Sequence, residues 1–210
     1  MDLEKSVIES MKEIFEHDYS GHDFWHSMRV YKNAMRIAEE ETCNQSVVML
    51  GSLLHDVDDK KLFQTENYAN ARKIMKLCNV NESTSETVIE AIRTVSFQGN
   101  DSVIPRTIEG KIIQDADRLD AIGAIGIART FAFGGSRGRN IYDPTIQPRM
   151  ELAECDYKTY EGTTVNHFYE KLFLLKDRMN TETAKKIAEQ RDRFMHQFID
   201  EFYKEWNGNR

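Results

Sequence analysis

Val47-Val48-Met49-Leu50-Gly51-Ser52-Leu53-Leu54-His55-Asp56-Val57-Asp58-Asp59 is the stretch that decides how this chain is read. Val47, Leu50, Gly51 and Leu54 recur at the three- and four-residue steps of one helical face. The helix then runs out into an imidazole and three carboxylates. Acids at a helix C-terminus meet the negative end of the macrodipole, a penalty of roughly 0.3–1 kcal/mol each, and they also repel one another. A bound divalent cation would reverse both effects. Lys60 and Lys61 follow. They can neutralise an acidic turn, which accounts for Asp58 and Asp59 but not for a His-Asp pair set directly after Leu53-Leu54. An EF-hand loop begun at Asp56 would carry Leu62 in its turn region and Asn67 where the bidentate Glu belongs, which excludes that class.

The helical period extends outward in both directions. Leu3, Val7, Met11, Ile14 and Phe15 stripe residues 3–17, and Val30, Ala34, Ile37 and Ala38 stripe 24–41. The helix of the opening stretch covers 46–57. Two further helices are expected at 66–79 and 84–95, parted by Asn81-Glu82-Ser83, and one long helix from 108 to 131. The last third adds 165–179 and 182–206, the latter striped by Ile187, Phe194, Phe198 and Phe202. No segment alternates apolar and polar residues between turn signals, so the expected fold class is all-α, a helical bundle. The irregular exception is 133–162, which opens with Gly134-Gly135-Ser136-Arg137-Gly138-Arg139 and holds Pro144 and Pro148. An insertion of that length reads as a candidate lid. The 210 residues fit one domain carrying it.

Composition narrows the function class. Hydrophobic residues make up 40% and charged residues 30%, the balance of a soluble globular protein. A formal net charge of −7 argues against stable binding to nucleic acid or anionic membrane. Cys43, Cys78 and Cys155 form no C-x-x-C pair, which suits a reducing compartment and offers no thiolate zinc site. With no apolar leader at the start and no apolar run approaching the ~18–20 residues that cross a bilayer, a cytoplasmic protein is expected.

Two further places carry chemistry. His26 lies in register with Val30, Ala34 and Ile37, the buried face of its helix; alone, such a histidine is more often a hydrogen-bonded core residue. Asp117 lies in Gln114-Asp115-Ala116-Asp117-Arg118-Leu119-Asp120-Ala121-Ile122-Gly123. Positions 113, 117, 120 and 124 share one helix face, so Asp117 and Asp120 project together while Asp115 points elsewhere. Two acids on a mostly apolar helix need neutralising, by ion pairs or by a cation.

Together, His26, His55-Asp56 and Asp117, on three helices in this order, resemble the H…HD…D signature of the HD-domain phosphohydrolase superfamily. Gly21-His22-Asp23-Phe24-Trp25-His26-Ser27-Met28-Arg29-Val30 looks like the family's first helix. The segments from His55 to Lys60 and from Asp115 to Gly123 look like a bacterial single-domain branch, and His167-Phe168-Tyr169-Glu170-Lys171-Leu172 is similar to its downstream motif. The resemblance spans nearly the whole chain. It implies a helical bundle in which His26, His55, Asp56 and Asp117 hold one divalent metal ion. Two imidazoles and two carboxylates suit Mn²⁺ first, with Mg²⁺, Fe²⁺, Ni²⁺, Co²⁺ or Zn²⁺ as alternatives. Relatives with two metals, and the di-iron oxygenases, use further histidines between the His-Asp pair and the last Asp. None stands between Asp56 and Asp117, so a mononuclear site is the preferred reading.

Around that site, Asp59 or Asp58 is the candidate to orient or deprotonate the attacking water, against the plainer reading of a solvated turn. Asp120 is a candidate to hold a ligand histidine or a substrate hydroxyl. Lys60, Lys61 and Arg29 are candidates to neutralise phosphates. The glycine-rich segment could wrap a polyphosphate with backbone N–H groups and with Arg137 and Arg139, although a P-loop is excluded because G-x-x-x-x-G-K-[ST] is missing. His167 and Lys171, four residues apart on one face, either face the site or pack against neighbouring helices. Asp23 is a candidate N-cap for the helix from Phe24. The expected activity is metal-dependent hydrolysis of a small-molecule nucleotide, with a nucleoside triphosphate cleaved to monophosphate and pyrophosphate by a metal-activated water. A nucleoside monophosphate phosphatase and a non-catalytic, metal-binding nucleotide sensor are the alternatives. Monomer and homodimer are both left open.

Overall fold

The computed structural model describes residues 2–15, 23–59, 63–95, 103–150 and 162–209. Those residues form α-helices joined by turns and two 3-10 segments, with no strand among them. They fall into two compact units that meet in sequence between Asp117 and Arg118.

In the first unit α1 is Leu3–Phe15, α2 Phe24–Ala38, α3 Gln45–Leu54, α4 Ala69–Leu77 and α5 Glu82–Ile92. The sixth helix, α6, is Ile108–Asp120; its residues up to Asp117 lie in this unit. Side chains cap the starts of these helices where the sequence supplies Asx residues. Asn44 accepts from the N–H groups of Ser46 and Val47, and Asn81 accepts from that of Thr84. The hydrophobic core includes Val7, Met11, Leu50, Leu53, Leu54, Ile74, Met75 and Ile113, each at most 2% exposed. Burying side chains of this size contributes roughly 1.5–3 kcal/mol apiece. The small residue in the opening stretch has a packing reason: a Cβ on Gly51 would stand 2.4 Å from Ile113 Cδ1 and 3.3 Å from Ile92. Its absence leaves that space to the side chains of Ile113 and Ile92. Polar contacts tie α6 to its neighbours: Glu109 accepts from the N–H of Asn44 at the start of α3, and Gln114 Nε2 donates to the carbonyls of Thr94, just past α5, and Val103.

One helix in this unit starts unusually. Asn67 and Tyr68 both adopt left-handed conformations, with φ of 52° and 56°, and Tyr68 gives α4 no side-chain cap. Left-handed backbone costs about 1–2 kcal/mol for an L residue other than glycine. The cap comes from elsewhere in the chain: Asp58 accepts from the N–H groups of Asn70 and Ala71, at 3.0 and 2.9 Å.

The second unit begins in the last turn of α6. The single helix expected over 108–131 is two helices, because the chain breaks at Ala121 and Ile122 and restarts as α7, Gly123–Ser136. Gly123 has φ +77° and lies against the side chain of Arg191, whose guanidinium donates to the Leu119 carbonyl. A residue with a Cβ would be strained there on both counts. The helix expected over 165–179 is likewise shorter: α8 is Asn166–Glu170, followed by 3-10 turns at Leu172–Leu174 and Lys176–Arg178. The last helix, α9, is Glu182–Trp206, close to its expected span and capped by Thr181. Phe131, Phe168 and Phe198 meet with ring centroids 5.8–6.1 Å apart in this unit, around the buried Phe168. The insertion expected from 133 is helical through Ser136, and its described remainder, 137–150, is held back onto the unit by backbone bonds from Thr164 and Val165 to Asn140 and Ile141. Residues 151–161 of that insertion lie outside the described residues.

Candidate metal centre

Three elements of the first unit bring four side chains together. Asp23 starts α2 by accepting the His26 N–H at 2.7 Å, which sets the first turn and turns His26 inward, 1% exposed. His55 and Asp56 follow the last residue of α3 and are 7% and 5% exposed. Asp117 comes from α6 and keeps 24% of its side chain exposed. His26 Nε2 lies 3.3 Å from His55 Nε2, 3.3 Å from Asp56 Oδ2 and 3.4 Å from Asp117 Oδ1. His55 Nε2 lies 3.5 Å from Asp56 Oδ2. The ligand atoms of His26, His55 and Asp117 all fall within 4.8 Å of one another.

The protonation chemistry of this cluster fits a cation. His55 Nδ1 is 2.9 Å from the Ser52 carbonyl, which can only accept, so Nδ1 is the donor and Nε2 is the ring nitrogen directed into the cluster. That nitrogen faces the His26 nitrogen and two carboxylate oxygens. Burial by itself would raise the Asp117 carboxyl. The hydrogen bond from His26 and the positive charge that His26 and His55 carry when protonated outweigh it, against opposition from Asp56, and hold the group below the usual carboxylate range. Nitrogen lone pairs and ionised oxygens converging in a buried place, with one carboxylate open to solvent, make a donor set that can hold a divalent metal ion.

The acids beside this cluster have separate employment. Both oxygens of Asp58 are engaged in capping α4, which directs that carboxylate to a structural task. Asp59 is half-buried; its N–H donates to the Asp56 carbonyl and its own carbonyl accepts from Phe63. Asp120 is 2% exposed and pairs with Arg129 in the second unit at 2.7 Å, so its charge is neutralised within that unit. Asp115, expected on a different face, is fully buried. Arg29 lies one helical turn beyond His26 on α2 and is half-buried. Lys60 and Lys61 lie outside the described residues.

The second unit holds the remaining candidates. Arg137 and Arg139 both stand over the Phe133 ring, 5.4 and 5.8 Å from its centroid. His167 is on α8 with Lys171 just past its end. Burial above all, and then the charges of Lys171 and Arg139, push the His167 pKa down from 6.5 to about 3. At neutral pH this ring is therefore uncharged between two cations.

Two residues that contact the turn of His55 and Asp56 escaped the sequence reading. Ser52 orients His55 through a backbone carbonyl, which no side-chain pattern announces. Asn70 donates its amide Nδ2 to the Val57 carbonyl at 2.7 Å; an Asn near the start of a helix was the only signal for it.

Comparison with known proteins agrees with this geometry. The HD-domain family model matches residues 24–122. The Bacillus subtilis protein YpgQ is 37% identical over 202 residues, covering 94% of this chain and 91% of YpgQ. Among solved structures, an HD-superfamily hydrolase from Bacillus thuringiensis superposes with a TM-score of 0.77 at 45% identity, covering 98% of this chain and 96% of that one. The crystal structure of YpgQ in complex with ADP superposes with a TM-score of 0.78 at 32% identity over the superposed residues, covering 97% and 94%.

Proposed function

Since this chain belongs to the HD superfamily of metal-dependent phosphohydrolases, we propose that it hydrolyses nucleoside triphosphates to monophosphate and pyrophosphate, with Mn²⁺ held by His26, His55, Asp56 and Asp117. The convergence of His26 Nε2, His55 Nε2, Asp56 Oδ2 and Asp117 Oδ1 carries the reading. The ADP in the YpgQ complex supports a nucleotide ligand. A divalent cation on this set supplies Lewis acidity towards a phosphate oxygen and lowers the pKa of a bound water towards neutrality. The Ser52 carbonyl fixes the His55 ring with Nε2 towards the cluster, and the start of α2 sets the first turn that carries His26. Asp59, in the same turn and bonded through its N–H to the Asp56 carbonyl, receives the proton of the attacking water. Water oxygen bonds to the α-phosphorus as the bond to the bridging oxygen breaks, and pyrophosphate leaves with the electron pair. Arg29, Lys60, Lys61, Arg137, Arg139, His167 and Lys171 remain the candidates for phosphate contacts, and 133–162 the candidate lid of a single functional domain.

The test is a panel of nucleoside tri-, di- and monophosphates with each of Mn²⁺, Mg²⁺, Co²⁺, Ni²⁺ and Zn²⁺, run in ¹⁸O-water. Pyrophosphate release with the label in the monophosphate is the expected result. Release of inorganic phosphate from monophosphates alone would turn the assignment to a phosphatase. Tight metal and nucleotide binding without hydrolysis would make the protein a sensor.

A further inference from the structure

We infer that Asn70 is a positioning residue, a latch that holds the turn carrying His55 and Asp56 in its metal-binding shape; this rests on the metal assignment above. His55 and Asp56 do not lie within α3. They occupy the turn after it, which the Val57 and Asp59 N–H groups close onto the carbonyls of Leu54 and Asp56. A turn of this kind has few bonds of its own to fix the direction in which two adjacent side chains leave it. Asn70 supplies two from outside. Its amide Nδ2 donates to the Val57 carbonyl at 2.7 Å, and its backbone N–H donates to Asp58 Oδ1 at 3.0 Å. The residue therefore grips the turn at both positions directly after Asp56. Ala71 adds a bond to the other oxygen of Asp58 at 2.9 Å.

The latch is aimed by the two left-handed residues before it. Asn67 and Tyr68 reverse the chain so that the first N–H groups of α4 point at Asp58, and Arg72 Nε donates to the Asn67 carbonyl at 3.0 Å, holding that reversal. Strained backbone persists where the surroundings over-determine it. Here the surroundings are the latch, and it reaches the two residues that follow the ligand pair. Val57, whose carbonyl the latch grips, is itself fully buried in the core. The turn is thus fixed on one side by packing and on the other by Asn70.

The experiment compares the parent with Asn70→Ala and Asn70→Asp. Asn70→Asp keeps the side-chain size and the backbone bond to Asp58 while removing the amide donor, and it provides a folded test if the alanine variant does not fold. Lys73→Ala, exposed on the same helix, is the control. Mn²⁺ affinity is read by titration calorimetry, and the ligand field by the visible bands of the Co²⁺ form. Both Asn70 variants should weaken Mn²⁺ binding by ~10–100-fold, the scale for outer partners of a metal site, and shift the Co²⁺ bands, with kcat reduced more than KM changes. Lys73→Ala should match the parent. Parent affinity and parent bands in a folded Asn70 variant would overturn the latch. Failure of the parent itself to take up any divalent metal would overturn the proposed function and the latch with it.

Discussion

His55 and His167 are the same side chain in opposite electrostatic surroundings. In the first unit His55 is oriented by a carbonyl and faces His26, Asp56 and, through His26, Asp117. In the second unit His167 is half-buried, with the charges of Lys171 and Arg139 acting on it, and its pKa falls to about 3. Acids around an imidazole make a place for a cation. Cations around an imidazole keep it neutral and leave positive charge for something anionic to answer. The acids differ in the same way. Asp117 meets two imidazoles, whereas Asp120, one turn later on the same helix, is matched by Arg129. One residue type thus does two jobs, chosen by what the neighbouring elements offer.

The sharpest way to break this contrast is to mutate both acids of α6. Asp117→Ala should lose more metal affinity than the ~10–100-fold expected for an outer partner, and hydrolysis should vanish with it. Asp120→Asn should leave metal affinity at the parent level while costing about 1–3 kcal/mol of stability, the penalty for an ionic partner removed from a buried site. Equal metal affinity in Asp117→Ala, or lost affinity in stable Asp120→Asn, would dissolve the distinction; metal content and denaturant midpoints decide it.

Asp59→Ala tests the division of labour in the turn itself. Turnover should drop by ~10²–10⁴, the usual scale for lost acid–base help, with metal content retained. Asp58→Ala should instead act mainly through stability, because its loss uncaps α4. A pair of variants that slow turnover alike without destabilising the fold would return both acids to the same role.

The last comparison concerns His167 and pH. Its folded pKa lies below the ordinary 6.5, so its contribution to stability is intact above pH 6.5 and is lost as pH falls towards about 3. The unfolded chain takes up the proton first in that window. The slope from this one group approaches ~1.4 kcal/mol per pH unit. His167→Gln should flatten that part of the stability profile. An unchanged slope would mean that the ring is not held neutral by its surroundings.

How much of this was written in the sequence differs by element. The amphipathic stripes of α1, α2, α3 and α9 were legible because local period and tertiary burial agree there. The break at Ala121–Ile122 was not, since Gly123 in a Gly/Ala-rich run reads as close packing rather than as a left-handed restart against Arg191. The pattern of His26, His55-Asp56 and Asp117 could be picked out because each acid or imidazole interrupts an apolar face. The tasks of Asp58 and Asp120 could not be separated from those of Asp59 and Asp117 by spacing. They depend on Asn70 and Arg129, partners that only the fold brings within reach. The burial of Asp115 was hidden for the same reason.

The start of α4 has a consequence for how the protein assembles. A nine-residue helix is too short to persist alone in water, and this one begins behind two residues in an unfavourable conformation with no cap of its own. Its nucleation must wait for Asp58, twelve residues upstream of Asn70, to arrive already shaped. The helix and the turn of the His-Asp pair then form in one cooperative step and open in one, a single folding unit. An α4 peptide excised from the chain should be random coil. In the intact protein, the first event of unfolding at this end should release the His55-Asp56 pair and the helix at the same moment.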